Sequence, residues 1–360
     1  MGDLTDARAR WLPQIEAAMR EAITRREPAR GQAAPSGDPP ALLPPGAPAH
    51  FGMMRYHLGW ADERLGPADA PTGKRLRPLV AILVAEACGS TGDRAMPVAV
   101  ALELLHNFTL IHDDIEDGDA TRHHRPTLWT LWGEPLAINA GDGMHVLATL
   151  SLLDLAARGV EPSIVVALAA RFAKACLTIT EGQHLDLAFT GTDEVSVGAY
   201  LDMIARKSAA LISCASAMGA EVAASPPALV EAMLSFGHAL GLGFQVQDDS
   251  LGMWGSPEVT GKPSSDLARR KKTLPTLYAL ARASEPDRRA ILTVLGSPDP
   301  TGSELDAALD AINRSGARRH CAALVARYSM HARTHLDALP KGPARTALGE
   351  LVAILEVRDR

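Results

Sequence analysis

Two pairs of adjacent aspartates constrain this chain more than any other feature, because each pair ends a long apolar run of helical period. Residues 101–112 (ALELLHNFTLIH) lead into Asp113 and Asp114, with Glu116, Asp117 and Asp119 close behind. A second run, ALGLGFQVQ, leads through Gln245 into Asp248 and Asp249. On a helix, Asp113, Asp114 and Asp117 are three or four residues apart and project from one face within about 6 Å along the axis. A solvated helix end is the ordinary reading of an acidic run. Here each run continues an apolar stripe, which argues for carboxylates that line a cavity and await a hard cation. Magnesium, held by a few carboxylates together with water and substrate phosphates, fits that setting. Between the doublets, Gln183 and Asp186 share a helix face in TEGQHLDLAF, a spacing without weight on its own.

The rest of the composition agrees with a helical enzyme. From His50 onward the chain is rich in Ala and Leu, with only 4% aromatic residues overall and no alternating β-branched runs, so the fold class is all-α. Gly and Pro punctuation divides it into about ten or more helices, read as a single large domain over residues 49–360. Residues 4–26 read as an amphipathic helix and 27–48 as a proline-rich flexible linker, so 1–48 is set apart from the catalytic domain. A net charge of −6 without a long basic tract argues against nucleic acid. Cys88, Cys176, Cys214 and Cys321 lie far apart without a CxxC pair and read as reduced core residues of a cytoplasmic protein. Charges are expected to interrupt every apolar run before the length that a membrane span needs.

Basic residues supply the complement to a diphosphate. GKRLRP contains Lys74, Arg75 and Arg77; GKPSSDLARRKKTLP contains Lys262, Lys271 and Lys272; Arg122, Arg125 and Lys207 add to them. Any one of these taken singly reads as an ordinary surface charge. Arginine suits bidentate phosphate contacts, and lysine acts as a mobile point charge.

With GKRLRP, HNFTLIHDDIEDGD, RPT, GQHLDL, FQVQDD and GKPSSDLARRKKTLP in this order, residues 50–355 resemble the trans-type polyprenyl synthetase family, most like geranylgeranyl and farnesyl diphosphate synthases. The resemblance implies the isoprenoid synthase fold with its helices around a central cavity, a homodimer, isopentenyl diphosphate and an allylic diphosphate as substrates, and three magnesium ions. Carried over position by position, Asp113, Asp114, Asp117, Asp248 and Asp249 would be metal ligands and, with Lys207, the catalytic set. Lys74, Arg77 and His106 match the residues that hold isopentenyl diphosphate. Arg122, Lys207, Gln245 and Lys262 match contacts to the allylic diphosphate, Ser208 stands for the usual threonine after that lysine, and Lys271 matches a lysine near the closing loop. The product implied is geranylgeranyl diphosphate, with farnesyl diphosphate next, because Phe108, over one turn deeper than Asp113, would floor the growing chain.

Two positions depart from the family pattern. Gly252 stands where the second motif usually ends in aspartate, and His123 replaces the second of two arginines, a contact to isopentenyl diphosphate for which Arg125 is the nearest substitute. Both departures favour, slightly, a terpene cyclase on the same fold, whereas intact Lys74, Arg77 and His106 argue for the synthase. A non-catalytic partner subunit is the third reading, and the intact DDIED cluster speaks against it.

Overall fold

The computed structural model describes residues 2–27, 48–71, 73–190, 192, 194–255 and 265–357. Ala- and Leu-rich segments form helices throughout. They begin with α1 (Asp3–Thr24), α2 (His50–His57), α3 (Leu76–Ala87), α4 (Gly92–Glu116), α5 (Leu128–Trp132) and α6 (Glu134–Ala157). Next come α7 (Pro162–Thr190), α8 (Val197–Ile204), a turn of π-helix at Ala205–Ala209, α9 (Ala210–Val222) and α10 (Pro227–Trp254). The C-terminal part holds α11 (Ser265–Ala268), α12 (Leu274–Leu280), α13 (Glu285–Gly296), α14 (Gly302–Arg314), α15 (Ala317–Leu336) and α16 (Pro343–Val357). Side-chain caps start several of them: Thr91 and Ser196 each accept from a backbone N–H three residues on, and Thr301 with Glu304 forms a reciprocal capping box.

The two long helices that carry the acidic doublets organise the core. α4 packs against α3 and α6, and α10 against α9 and α15, while α7 closes on α9 and the π-helical turn. One large apolar cluster links these helices, and a smaller one joins the end of α10 to α13 and α14. The N-terminal helix, grouped above with the linker, belongs to the large cluster: Trp11, Ile15, Met19 and Ile23 are fully buried, and α1 packs on α3, α4 and α16. Its apolar stripe leaves it no stable existence apart from that core. The proline-rich segment 28–47 lies outside the described residues.

One expectation is corrected. Four helices, α4, α6, α7 and α10, are long and apolar enough to cross a membrane by length and composition alone. Packing explains the apolar character of α4 and α10, which are mostly buried, whereas α6 and α7 leave apolar side chains such as Val146, Leu153, Val166 and Leu177 exposed. The fold is all-α as expected, and its described residues add one short hairpin, in which Thr121–Arg122 pairs antiparallel with Arg125–Pro126. Its two turn residues, His123 and His124, both take left-handed conformations (φ 50° and 62°), the geometry of a tight turn that sequences usually give to Asn-Gly.

Candidate active site

Adjacent residues on a helix point about 100° apart, so a doublet cannot present both members equally. In the first doublet, Asp113 is half-buried and faces a cavity of about 400 Å³, whereas Asp114 is buried and paired with Arg122, whose Nε donates to Oδ1 at 2.8 Å. In the second, Asp248 is exposed and Asp249 is buried. Tyr200 donates its hydroxyl to Asp249 Oδ2 at 2.7 Å, Gln245 Nε2 donates to Oδ1 at 2.9 Å, and the Leu274 N–H reaches Oδ2 at 3.3 Å. The five carboxylates expected as metal ligands therefore divide. Asp113 lines the cavity and Asp117 and Asp248 are solvent-exposed, while Asp114 and Asp249 are buried on protein hydrogen-bond donors.

The electrostatics follow this division. Burial, with Asp117 and Glu116 nearby, raises the Asp113 carboxyl to about 6 in spite of Lys207. Burial raises Asp249 further, to about 7, against its three hydrogen bonds. Asp113 and Asp186 lift the Lys207 ammonium above its ordinary value against the effect of burial, and Lys207 Nζ lies 2.5 Å from Asp186 Oδ2. Lys207 stands in the π-helical turn, where α7 comes unusually close: a Cβ on Gly182 would lie 2.2 Å from the Lys207 nitrogen. Glycine at that position allows the contact. Ser208, next in the turn, donates to Gln245 Oε1 at 2.6 Å, which links it through Gln245 to Asp249. Lys271 lies 3.5 Å from Asp117, and Lys262 falls outside the described residues.

The large cavity is lined by Arg77, His106, Asp113, Lys207 and Ser208 at polar positions and by Ile179, Leu187 and Leu211 at apolar ones. Phe108 also lines it. Its ring meets His112 edge-on at 4.7 Å between centroids and stacks on His145 at 5.0 Å, and His145 Nε2 lies 3.6 Å from Cys176 Sγ. A smaller cavity of about 180 Å³ adjoins the first, sharing His106 and Leu110, and is lined further by His57, Arg75, Asn107, Arg122 and His123. Lys74 is exposed on the loop before α3. Burial, then Arg122, His123 and Arg75, pushes His57 down to about 3; burial and Arg77 hold His106 well below its ordinary value.

Both departures acquire a physical setting. Arg125 does not replace the missing arginine: its guanidinium donates to the carbonyls of Tyr56 at 2.8 Å and Ala61 at 2.7 Å and covers the Tyr56 ring. The gap in the second acidic motif is filled from another helix, because a Cβ on residue 252 would lie 2.1 Å from Asp266 Oδ2. The acid absent from α10 is thus present in space on α11. Sequence reasoning missed Tyr200, His57 and His145, and named Arg75 only as one of the basic residues of GKRLRP. Tyr200 and His57 carry no local motif.

The sequence profile of the polyprenyl synthetase family matches residues 66–312. A (2E,6E)-farnesyl diphosphate synthase of Mycobacterium tuberculosis is 41% identical over 280 residues, covering 77% of each chain. A geranylgeranyl diphosphate synthase of the same organism is 46% identical over 234 residues, covering 65% of this chain and 66% of its own. The crystal structure of a polyprenyl synthetase from Streptomyces coelicolor A3(2) superposes with a TM-score of 0.83 at 33% identity, over 99% of both chains. The chain belongs to the polyprenyl synthetase family.

Proposed function

We propose that this enzyme joins an allylic diphosphate to isopentenyl diphosphate head to tail, giving a short-chain prenyl diphosphate, geranylgeranyl first and farnesyl second. The observation that carries the reading is the pair of adjoining cavities that share His106: one large and partly apolar with Asp113 and Lys207, one small and lined by Arg75, Arg122 and three histidines. A condensation needs two diphosphate sites. A terpene cyclase needs one, and neither the relatives nor the second cavity favours it.

In the proposed reaction the allylic carbon–oxygen bond breaks and its electron pair leaves with the diphosphate. The isopentenyl double bond then attacks the allylic cation, and the new cation loses a proton to the released diphosphate. Lys207, Arg122 and Lys271 would hold the leaving group by charge, which is catalysis by electrostatic stabilisation rather than by a protein nucleophile. Ile179, Leu187 and Leu211 would keep water from the cation.

Enzymes of this family generally depend on magnesium. The residues fit such an ion: the donors are all carboxylate oxygens, and the charge on Asp113 is crowded by Asp117 and Glu116. Among the described residues, no three His, Cys, Asp or Glu side chains gather closely enough to hold a metal by themselves. Asp113, Asp117 and Asp248 would therefore share up to three ions with diphosphate oxygens and water. When bound, magnesium supplies positive charge against the departing diphosphate.

A homodimer is part of the proposal, supported by an exposed apolar face on α6 and α7 that includes Val146, Leu150, Leu153, Val166 and Leu177. So is a reducing, cytoplasmic setting, supported by four cysteines that are all free thiols. The test is product analysis of the purified chain with isopentenyl diphosphate and each allylic starter. Magnesium-dependent elongation is expected. Cyclic products from a prenyl diphosphate alone, with isopentenyl diphosphate left unused, would contradict the proposal.

A further inference from the structure

The loop that carries Lys74 toward Arg77 turns left-handed at Arg75 (φ 49°), a conformation that a non-glycine residue keeps only where its surroundings impose it. Those surroundings are a buried polar chain. Arg75, 6% exposed, donates from Nη1 to Glu103 Oε1 on α4 at 2.8 Å. Its Nε donates to Glu16 Oε2 at 3.2 Å, and Glu16 belongs to the N-terminal helix α1. The other Glu16 oxygen accepts from Trp60 Nε1. Past Glu103, Asn107 Nδ2 donates to the Glu103 backbone carbonyl at 2.8 Å, and the Asn107 side chain hydrogen-bonds His57 on the wall of the small cavity. The chain thus runs unbroken from Glu16 through Arg75, Glu103 and Asn107 to His57.

Two carboxylates already engage the Arg75 guanidinium, so its charge is largely committed within the protein. Its consequence is geometric. Removing Glu16 would leave a buried cation half-paired, and the left-handed turn would lose one of the two contacts that impose it. Arg75 Nη2 and Glu103 Oε2 are buried without a hydrogen-bond partner, although Nη2 lies 3.2 Å from Glu16 Oε2, so the arrangement leans on the contacts that Glu16 does make.

We infer that Glu16, on the N-terminal helix, is a positioning residue for the isopentenyl diphosphate pocket, pinning Arg75 and with it the loop that presents Lys74 and leads into α3. The inference rests on the synthase reading for the identity of the ligand. It gives α1 a role beyond packing: the helix completes a substrate pocket that it does not itself line.

The test compares two variants of the full chain by calorimetric titration with isopentenyl diphosphate and by steady-state kinetics. Glu16→Gln keeps the volume and removes the charge. It should raise Kd and KM for isopentenyl diphosphate about tenfold, the equivalent of one charge-assisted hydrogen bond. The KM for the allylic diphosphate and kcat should stay within about twofold of wild type. Glu350→Ala is the comparison, because Glu350 Oε2 accepts from the Leu4 N–H at 2.8 Å and anchors the same helix away from the pocket. It should lower Tm and leave the isopentenyl diphosphate constants unchanged. Equal shifts of both substrates in Glu16→Gln, no shift at all, or the same shift in Glu350→Ala would overturn the inference. A wild-type chain that binds isopentenyl diphosphate yet elongates no starter would overturn the synthase reading instead, and the calorimetric comparison would still decide the role of Glu16.

Discussion

The two acidic doublets look alike in the sequence and are built differently. Asp114 is locked by a charge, the Arg122 guanidinium at 2.7–2.8 Å, whereas Asp249 is locked by three neutral donors. Each has a neighbour, Asp113 or Asp248, that stays open. The difference teaches that a doublet is one open carboxylate and one structural carboxylate, and that the structural partner sets how each doublet responds to mutation and pH.

The largest effects should separate the open members from the buried ones. Asp113→Asn and Asp248→Asn are expected to cut turnover by roughly two to three orders of magnitude at saturating magnesium, without loss of Tm. Asp249→Asn replaces one carboxylate oxygen by an NH2 group; its remaining oxygen can still accept from Tyr200 and the Leu274 N–H while the NH2 donates to a flipped Gln245 amide, so it should lose far less activity. Near wild-type rates in Asp113→Asn, or an Asp249→Asn variant as inactive as the others, would erase the distinction.

Stability against pH sharpens the same comparison. Asp249 has its carboxyl raised to about 7 in the fold from an ordinary 3.8, so the fold favours the protonated form. A raised carboxyl costs nothing below the unfolded value, and its cost grows as pH rises from there through the folded value. In metal-free protein the penalty above neutrality is on the order of a few kcal/mol. Asp249→Asn removes it, so the Tm difference between variant and wild type should move in the variant's favour between about pH 5 and pH 8. A difference independent of pH would contradict this account of the second doublet.

Product length tests the cavity beneath the first doublet. Phe108→Ala should release longer prenyl diphosphates, and His145→Ala should do so to a smaller extent, because His145 backs the Phe108 ring. Chromatography of the products checks both. An unchanged distribution in Phe108→Ala would remove the floor.

The smallest effect concerns His123. Burial first, then Arg122, Arg75 and His124, hold it below its ordinary 6.5, so the free enzyme carries it neutral at neutral pH. A bound diphosphate raises that value again. The gain in binding is then full below the free value and lost as pH rises through the bound one. Affinity for isopentenyl diphosphate should therefore weaken modestly from about pH 6 to pH 8, and His123→Arg should flatten the curve. A steep dependence in both proteins would assign it to another group.

How much was legible in the sequence follows from the same geometry. The helices and the two doublets were readable because Ala- and Leu-rich runs and their Gly and Pro breaks act locally. Which member of each doublet faces inward was not, since α4 and α10 are apolar nearly all round and their rotational phase has no polar side to fix it. Burial of α1 was hidden for a different reason: its stripe at Trp11, Ile15 and Met19 is plain, but the surface it covers lies on α3, α4 and α16. The role of Asp266 beside Gly252, and the commitment of Arg125 to the Tyr56 and Ala61 carbonyls, are contacts between distant segments that no local pattern encodes.

The division between open and structural carboxylates is tested most directly by a crystal structure with manganese and inorganic diphosphate, the metal located by its anomalous scattering. The account predicts manganese at roughly 2.1 Å from oxygens of Asp113, Asp117 and Asp248, with Asp114 still on Arg122 and Asp249 still on Tyr200 and Gln245. Manganese bonded directly to Asp249 or Asp114, with those hydrogen bonds broken, would contradict it.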